Sequence, residues 1–298
     1  MTSENSLLYE MDGWVCALAP AKVNLFLHIT GRRDDGYHML ESIFAFTKFG
    51  DTVKVRASDA LSLKISGEFK GSLNQENPDS NLVMKAAFAL RAFVGKDQGA
   101  EVILEKNLPV ASGVGGGSSD AAATLRALVK LWKVEISKAE LMQLGLGLGA
   151  DVPACLNPQM SFISGIGERV RPIEMTQNFS CILVNTGQPL STAEVFSAHK
   201  GMGIAFTPSI EGGLKSFDID HLLAYKNDLF KPACSKVPDI TKVVEELGKK
   251  AEVVLARMSG SGGTCFALTK TLEGAEQIAK ELKKHHHHWW IEVSELIT

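Results

Sequence analysis

Residues 109–119 concentrate chemistry: four glycines and three serines in eleven positions, within the run LPVASGVGGGSSDAAATL (108–125). A strand pattern over 101–105 leads in. A helical repeat leads out over 120–133, with Ala121, Leu125, Leu128, Val129 and Trp132 on one face. Strand, glycine loop and helix together suit an anion, because glycines let backbone N–H groups approach it and the helix N-terminus adds about half a positive charge. The candidate phosphate-binding residues are Pro109, Val110, Ala111, Ser112, Gly113, Val114, Gly115, Gly116, Gly117, Ser118 and Ser119. The hydroxyls of Ser118 and Ser119 suit a helix cap, a phosphate oxygen or a divalent cation. No lysine follows the glycines, so the loop is not of the Walker type, and counting from Gly113 the sixth position is Ser118, which breaks the dinucleotide pattern. A flexible linker would not be wedged between an apolar strand and so periodic a helix.

Other side chains stand out by type and neighbourhood. Lys22 lies in the apolar run APAKVNLFL (19–27), where an interior ammonium needs a partner or a phosphate. Asn24, two residues on, shares its strand face. Asp151 sits in LGADVPACL (148–156), ahead of Pro153, where an aspartate either caps a helix or acts as a base. Tyr37 and His38 follow the charged residues 32–35. They are either a turn with a core tyrosine or an aromatic face with an edge donor, the combination that reads an isolated base.

The elements that must position these groups follow from periodicity. Strands are expected at 15–18 and 24–29, flanking Pro20, and at 52–56, 61–65 and 101–105. A helix capped by Asn81 spans 81–94, with Leu82, Ala86, Ala89, Leu90 and Phe93 facing the core. A short helix at 138–145 closes on LGLGLGAD. Beyond it come strands at 162–163 and 181–185, a helix from 194, a loose stretch at 201–213, and a helix at 240–249. Strands at 253–257 and 264–269 flank SGSGG, followed by a helix at 272–284 and a strand at 291–296. The pattern predicts an α+β protein in two halves joined near 147–164. His285, His286, His287 and His288, followed by Trp289 and Trp290, read as an exposed helix end, since adjacent histidines do not converge on one metal ion.

Bulk composition narrows the classes. The chain is 45% hydrophobic and 22% charged, ordinary for a globular protein. A balance of 31 basic against 34 acidic side chains leaves −3, which argues against a nucleic-acid surface. Five widely spaced cysteines without a CxxC pair suggest reduced thiols. Apolar runs fall short of the ~20 residues of a membrane span. Residues 1–14 carry Glu4, Glu10 and Asp12 with no apolar core, which reads as a cytoplasmic start rather than a targeting signal.

The loop motif resembles the second signature of the GHMP kinase superfamily, which includes galactokinase, homoserine kinase and mevalonate kinase. Residues 19–27 resemble its first signature, and RMSGSGGTCFAL (257–268) its third, a glycine turn that buttresses the nucleotide loop. The runs at 30–44 and 148–156 are similar to the branch whose acceptor is a cytidine-diphosphate sugar alcohol. The resemblance implies an N-terminal ribosomal-protein-S5-like domain (1–160) that binds ATP and a C-terminal ferredoxin-like domain (161–298) completing the substrate cleft. It makes Asp151 the catalytic base and Lys22 its partner. It has Asn24 bond the acceptor's hydroxyls, Tyr37 stack on cytosine, His38 bond the base edge, and Thr192 and Phe196 close the other side, with Phe196 reading equally as a core residue of its helix. Gly260, Gly262 and Gly263 become structural neighbours of the loop. Mg²⁺ is implied with ATP, and a bacterial, cytoplasmic monomer or weak homodimer is expected. Two alternatives stay open: another kinase of this superfamily, of homoserine or mevalonate type, and a non-catalytic nucleotide sensor, which should have lost Asp151 or Lys22.

Overall fold

The computed structural model describes residues 7–73, 80–95, 97–210 and 216–297. The sequence start before residue 7 and the end of the loose stretch, 211–213, lie outside the described residues. In chain order the elements are β1 (Leu8–Met11), β2 (Trp14–Arg32), β3 (His38–Ser58), β4 (Leu61–Ser66), α1 (Leu82–Val94), β5 (Gly99–Glu105), α2 (Gly116–Trp132), α3 (Lys138–Leu148) and α4 (Val152–Leu156). They continue as β6 (Ser161–Ser164), β7 (Arg169–Pro172), β8 (Glu174–Met175), β9 (Ser180–Asn185), α5 (Thr192–Gly201), β10 (Ser216–Phe217), α6 (Ile219–Ala224) and α7 (Phe230–Cys234). The last are α8 (Asp239–Gly248), β11 (Val253–Met258), β12 (Thr264–Thr269), α9 (Leu272–His285) and β13 (Trp290–Glu295). Contacts divide the chain into two compact units. The first comprises Met1–Ala21, Gly50–Val110 and Gly115–Pro158; the second Lys22–Phe49, Ala111–Val114 and Gln159–Thr298.

In the first unit β5 lies between β3 and β4, antiparallel to β3 (Thr52↔Glu105) and parallel to β4 (Leu61↔Ala100). A parallel pair needs a crossover, which α1 supplies. Alternate residues Ala100, Val102 and Leu104 of β5 are buried. Asn81 caps α1 by accepting the Val83 N–H at 2.9 Å, as its residue type predicts. The buried face is the expected one only in part: Ala86 and Leu90 are inside and Leu82 and Ala89 half-buried, but Val83, Met84 and Ala87 are buried too and Phe93 is exposed. Apolar residues surround most of this helix, so spacing alone does not select the stripe that meets α2. α3 runs three residues past its expected end, through Gly145, whose missing Cβ admits Leu156 Cδ1 at 3.0 Å. Its start is a reciprocal capping box between Ser137 and Glu140.

Proline does not divide β2, as the two expected strands had it. Pro20 has no N–H to give, but its carbonyl accepts the Ser119 hydroxyl at 2.7 Å. At Gly50 a Cβ would lie 2.1 Å from the Ala19 carbonyl oxygen, so only glycine admits the neighbouring backbone here.

The second unit contains a four-stranded antiparallel sheet, ordered β11-β12-β9-β13. With α8 and α9 this is a β-α-β-β-α-β, ferredoxin-like arrangement. Its core combines Ile182, Val184 and Ala267 of the sheet with Ile240, Val243 and Leu247 of α8 and Ala275, Ile278 and Leu282 of α9. β3 also pairs with β6 (Ser42↔Ile163), and β6 with β7. The short elements β1, α4, α6, α7, β7, β8 and β10 have no counterpart among the expected ones, because two to six residues are too few to show a period. The histidine run is partly tied down: His286 stacks on Trp289 at 3.6 Å and 5°, and its Nε2 lies 2.9 Å from Glu246 Oε2.

Gly50→Ala should destabilise the protein by about 1–3 kcal/mol or more, the scale of an overpacked interior. Urea unfolding measures this, and an unchanged midpoint would contradict the close approach at Ala19.

Candidate active site

The glycine loop enters α2 earlier than its pattern implies. Gly115, at φ 64°, is the N-cap, and Gly116, Gly117, Ser118 and Ser119 form the first turn. No side chain caps this end, so the N–H groups of Gly116, Gly117 and Ser118 are the orphan donors of a helix start. That donor set fits a polyphosphate. Ser119 is committed within the protein: it is buried, its N–H bonds Gly115 C=O at 2.9 Å, and its hydroxyl bonds Pro20 C=O. Ser118 remains half-buried on the same turn.

Asp151 stands at the N-cap of α4, yet its carboxylate makes no capping bond, so the helix-cap reading of this residue does not describe it. Pro153 lies in the first turn of that helix. The far end of α4 is held by Arg126 of α2, which donates to Cys155 C=O at 2.6 Å and to Leu18 C=O at 2.6 Å. Burial lowers the Arg126 guanidinium to about 10. One arginine therefore ties the helix that begins the loop turn to the helix that carries Asp151. Sequence reasoning passed over it because a helical arginine ordinarily signals only a solvated face.

The other loop residues belong to the second unit. Lys22 is only 5% exposed. Its ammonium donates to Asn24 Oδ1 at 2.9 Å and lies 4.1 Å from the centre of the Phe44 ring. Its backbone N–H bonds Val114 C=O at 2.8 Å, which pins the lysine's strand to the loop. Asn24 Nδ2 donates to the Ser42 hydroxyl at 2.8 Å, and Ser42 in turn donates to Phe26 C=O. The Asn24 amide is thereby held with its oxygen toward Lys22.

Turn 259–263 grips the loop from its other side. The Ser259 hydroxyl accepts the Asn24 N–H at 3.0 Å and donates to Gly113 C=O at 2.9 Å, while the Thr264 N–H bonds Ser112 C=O at 2.8 Å. A Cβ on Gly113, at φ 77°, would lie 2.5 Å from Ser259 C=O. Gly260 and Gly263 lie against Gly113 and Ser112, with a built Cβ 3.1 Å away in each case. Asn227 fixes the turn itself by donating to Met258 C=O and Gly260 C=O at 2.9 and 2.8 Å.

At the aromatic group, the His38 ring stacks on Phe196 at 5.0 Å and 29°, and His199 meets it edge-on at 6.0 Å. Burial and the neighbouring His199 lower the His38 pKa, which favours a neutral ring that both donates and accepts. Tyr37 is 62% exposed, so it is not a core tyrosine. Its N–H bonds Asp35 Oδ1 at 3.2 Å within the turn between β2 and β3. The Thr192 hydroxyl lies 2.7 Å from that of Ser261. Among the described residues no group of three or more His, Cys, Asp or Glu side chains is placed to hold a metal.

The chain is similar to known proteins over nearly its whole length. The family models "GHMP kinases N terminal domain" and "GHMP kinases C terminal" match residues 81–158 and 215–288. The chain is 43% identical over 288 residues to the 4-diphosphocytidyl-2-C-methyl-D-erythritol kinase of Parvibaculum lavamentivorans, covering 95% of this chain and 99% of that one. It is 43% identical over 296 residues to that of Hyphomonas neptunium, covering 96% of each. A crystal structure of 4-(cytidine 5'-diphospho)-2C-methyl-D-erythritol kinase superposes with a TM-score of 0.78 at 29% identity, over 95% of this chain and 99% of that one. Homoserine kinase from Cytophaga hutchinsonii, at 18% identity and a TM-score of 0.69, shares the fold.

Ser259→Ala leaves the Asn24 N–H without its acceptor and Gly113 C=O without its donor. A loss of about 1–3 kcal/mol in unfolding free energy is expected. Equilibrium denaturation checks it, and a wild-type value would mean that water substitutes fully for the hydroxyl.

Proposed function

Because the chain belongs to the 4-diphosphocytidyl-2-C-methyl-D-erythritol kinase family within the GHMP kinases, we propose that it transfers the γ-phosphoryl group of ATP to the 2-hydroxyl of 4-diphosphocytidyl-2-C-methyl-D-erythritol, a step of the non-mevalonate isoprenoid route. The observation that carries phosphoryl transfer is Lys22: an ammonium buried to 5% exposure on a strand bonded to the glycine loop itself. Near-full-length identity to kinases of one name supports this acceptor over homoserine or mevalonate.

Phosphoryl transfer asks for alignment and charge neutralisation more than for covalent help. In the proposed mechanism the N–H groups of Gly116, Gly117 and Ser118 bind the nucleotide's phosphate oxygens. Asp151 accepts the proton of the attacking hydroxyl, and Lys22 offsets negative charge as the phosphoryl group moves. Asn24, whose amide is oriented by Ser42, positions the acceptor's hydroxyls. Tyr37 stacks on the cytosine and His38 bonds its edge, with Thr192 and Phe196 bounding the base. A Mg²⁺ ion carried with ATP would supply charge neutralisation at the phosphates, and Ser118 is the loop hydroxyl we assign to it. A bacterial, cytoplasmic setting and a monomer or weak homodimer belong to the same proposal. No helix among the described residues is long and apolar enough to cross a membrane.

An ADP-release assay with Mg-ATP and the cytidyl substrate, run beside homoserine and mevalonate, tests the assignment, and turnover of either alternative instead would overturn it. Asp151→Asn is expected to retain ATP binding and lose roughly 10²-fold or more in kcat. Activity within a few-fold of wild type would remove it as the base. Tyr37→Ala should weaken binding of the cytidyl substrate by about 1–3 kcal/mol, read as a higher KM with the ATP KM unchanged.

A further inference from the structure

Both flanks of the glycine loop meet one buried ion cluster in the first unit. Lys106 directly follows β5, and its ammonium is bonded to Asp51 Oδ2 and, at 2.9 Å, to Asp120 Oδ2. The three side chains are 3%, 0% and 4% exposed in the order Lys106, Asp51, Asp120. Asp51 Oδ1 accepts the backbone N–H groups of Asn107 at 2.6 Å and Leu108 at 2.8 Å. The Asn107 amide also donates to Gly50 C=O at 3.2 Å. The chain entering the loop therefore hangs from Asp51. The chain leaving it is held through α2, whose second turn carries Asp120. A Cβ on Gly116 would lie 2.9 Å from Lys106 Nζ, so the first helical residue rests against the ammonium.

Two carboxylates facing one ammonium would leave a buried charge of −1 if both were ionised. The charged groups facing Asp120 are Lys106, from the segment after β5, and Asp51, from β3. Burial, with Asp51 adding to it, pushes Asp120 up to about 8, and its Oδ1 has no bonding partner. Burial opposes the Lys106 charge, but the two carboxyls overcome this and hold its pKa above the ordinary lysine value. At neutral pH the cluster is accordingly neutral, with one proton kept by the carboxyl pair. Above pH 8 it becomes an anion directly behind the first turn of α2.

We propose that Asp51, Lys106 and Asp120 are positioning residues for the phosphate-binding loop, holding the segment that enters it and the helical turn that leaves it so that the Gly116, Gly117 and Ser118 N–H groups point at the anion. Each acts through the backbone it holds. The inference rests on reading this loop as the ATP site, and it adds a dependence on pH that a merely structural cluster would not give. Protonated Asp120, below pH 8, leaves the loop's positive potential unopposed. Ionised Asp120, above pH 8, repels the polyphosphate.

Calorimetric titration of the full chain with Mg-ATP at pH 7 and pH 9.5 tests this. The wild type should bind roughly tenfold more weakly at the higher pH, the scale of one partly screened charge at this range. Asp120→Asn, nearly the same shape but unable to ionise, should flatten the ratio of the two dissociation constants. Lys106→Met should weaken ATP binding by more than about tenfold at pH 7, with CDP binding at the acceptor site unchanged. Equal wild-type affinity at both pH values, or an equal decline in Asp120→Asn, would overturn the proposal. Absence of ATP binding by the wild type at pH 7 would instead overturn the reading of the loop, and the proposal with it. The wild-type and Asp120→Asn titrations together decide the matter even if Lys106→Met fails to fold.

Discussion

A backbone that must approach a polyphosphate closely has to shed its side chains, and a segment without side chains cannot anchor itself. Much of this structure answers that constraint. Loop 109–119 has four glycines, and what fixes it comes from outside. The Ser259 hydroxyl and the Thr264 N–H take the carbonyls of Gly113 and Ser112, and Lys22 contributes its own N–H to Val114 C=O. Asp51 holds the two backbone N–H groups just before the loop. These partners lie far from the loop in sequence, so it acquires its shape only when the strands and turns around it have formed. On the proposed reading of the loop as the nucleotide's phosphate site, the gain is preorganisation: donors already aimed at the place where charge will lie need no rearrangement when it arrives.

The same logic runs through the buried polar groups. Lys22, Asn24, Ser42 and Phe26 C=O form a chain in which each member orients the next. Arg126 and Arg257 are withdrawn from solvent, and each spends its guanidinium on backbone carbonyls rather than on a carboxylate. Arg257 spans Leu25, Leu222 and Tyr225, and burial lowers it to about 10. Interior charges of this kind contribute little net stability, because desolvation offsets most of the attraction. Their use is in geometry: a planar fork fixes two or three chain segments at once.

The aromatic group works differently. His38 lies against Phe196, with His199 beneath. This is a polarisable surface rather than a rigid hydrogen-bonded frame, and Tyr37 stands largely free of it. Such a surface suits a flat heterocycle, since stacking tolerates small shifts while one edge donor sets orientation.

Read alone, the chain determined what depends on local pattern. The strand–glycine loop–helix order, the capping role of Asn81, the burial of Lys22 and the α+β class all follow from residue type and spacing within a few turns or strands. The three ordered motifs at 19–27, 109–119 and 257–268 made the family legible. Tertiary structure decided what depends on partners far apart in the chain. It carried β2 straight through Pro20, whose carbonyl the Ser119 hydroxyl bonds and beside which Gly50 leaves room for the Ala19 backbone. It turned α1 onto Val83, Met84 and Leu90 and began α2 at Gly116. It also assembled Asp51, Lys106 and Asp120, separated by as many as 69 positions, into one cluster behind the loop. No sequence period marks such a group, because each member reads as an ordinary surface charge until the fold removes its water. A glycine loop between strand and helix is a local pattern and can be read from its residues; what holds that loop in place is assembled across the fold.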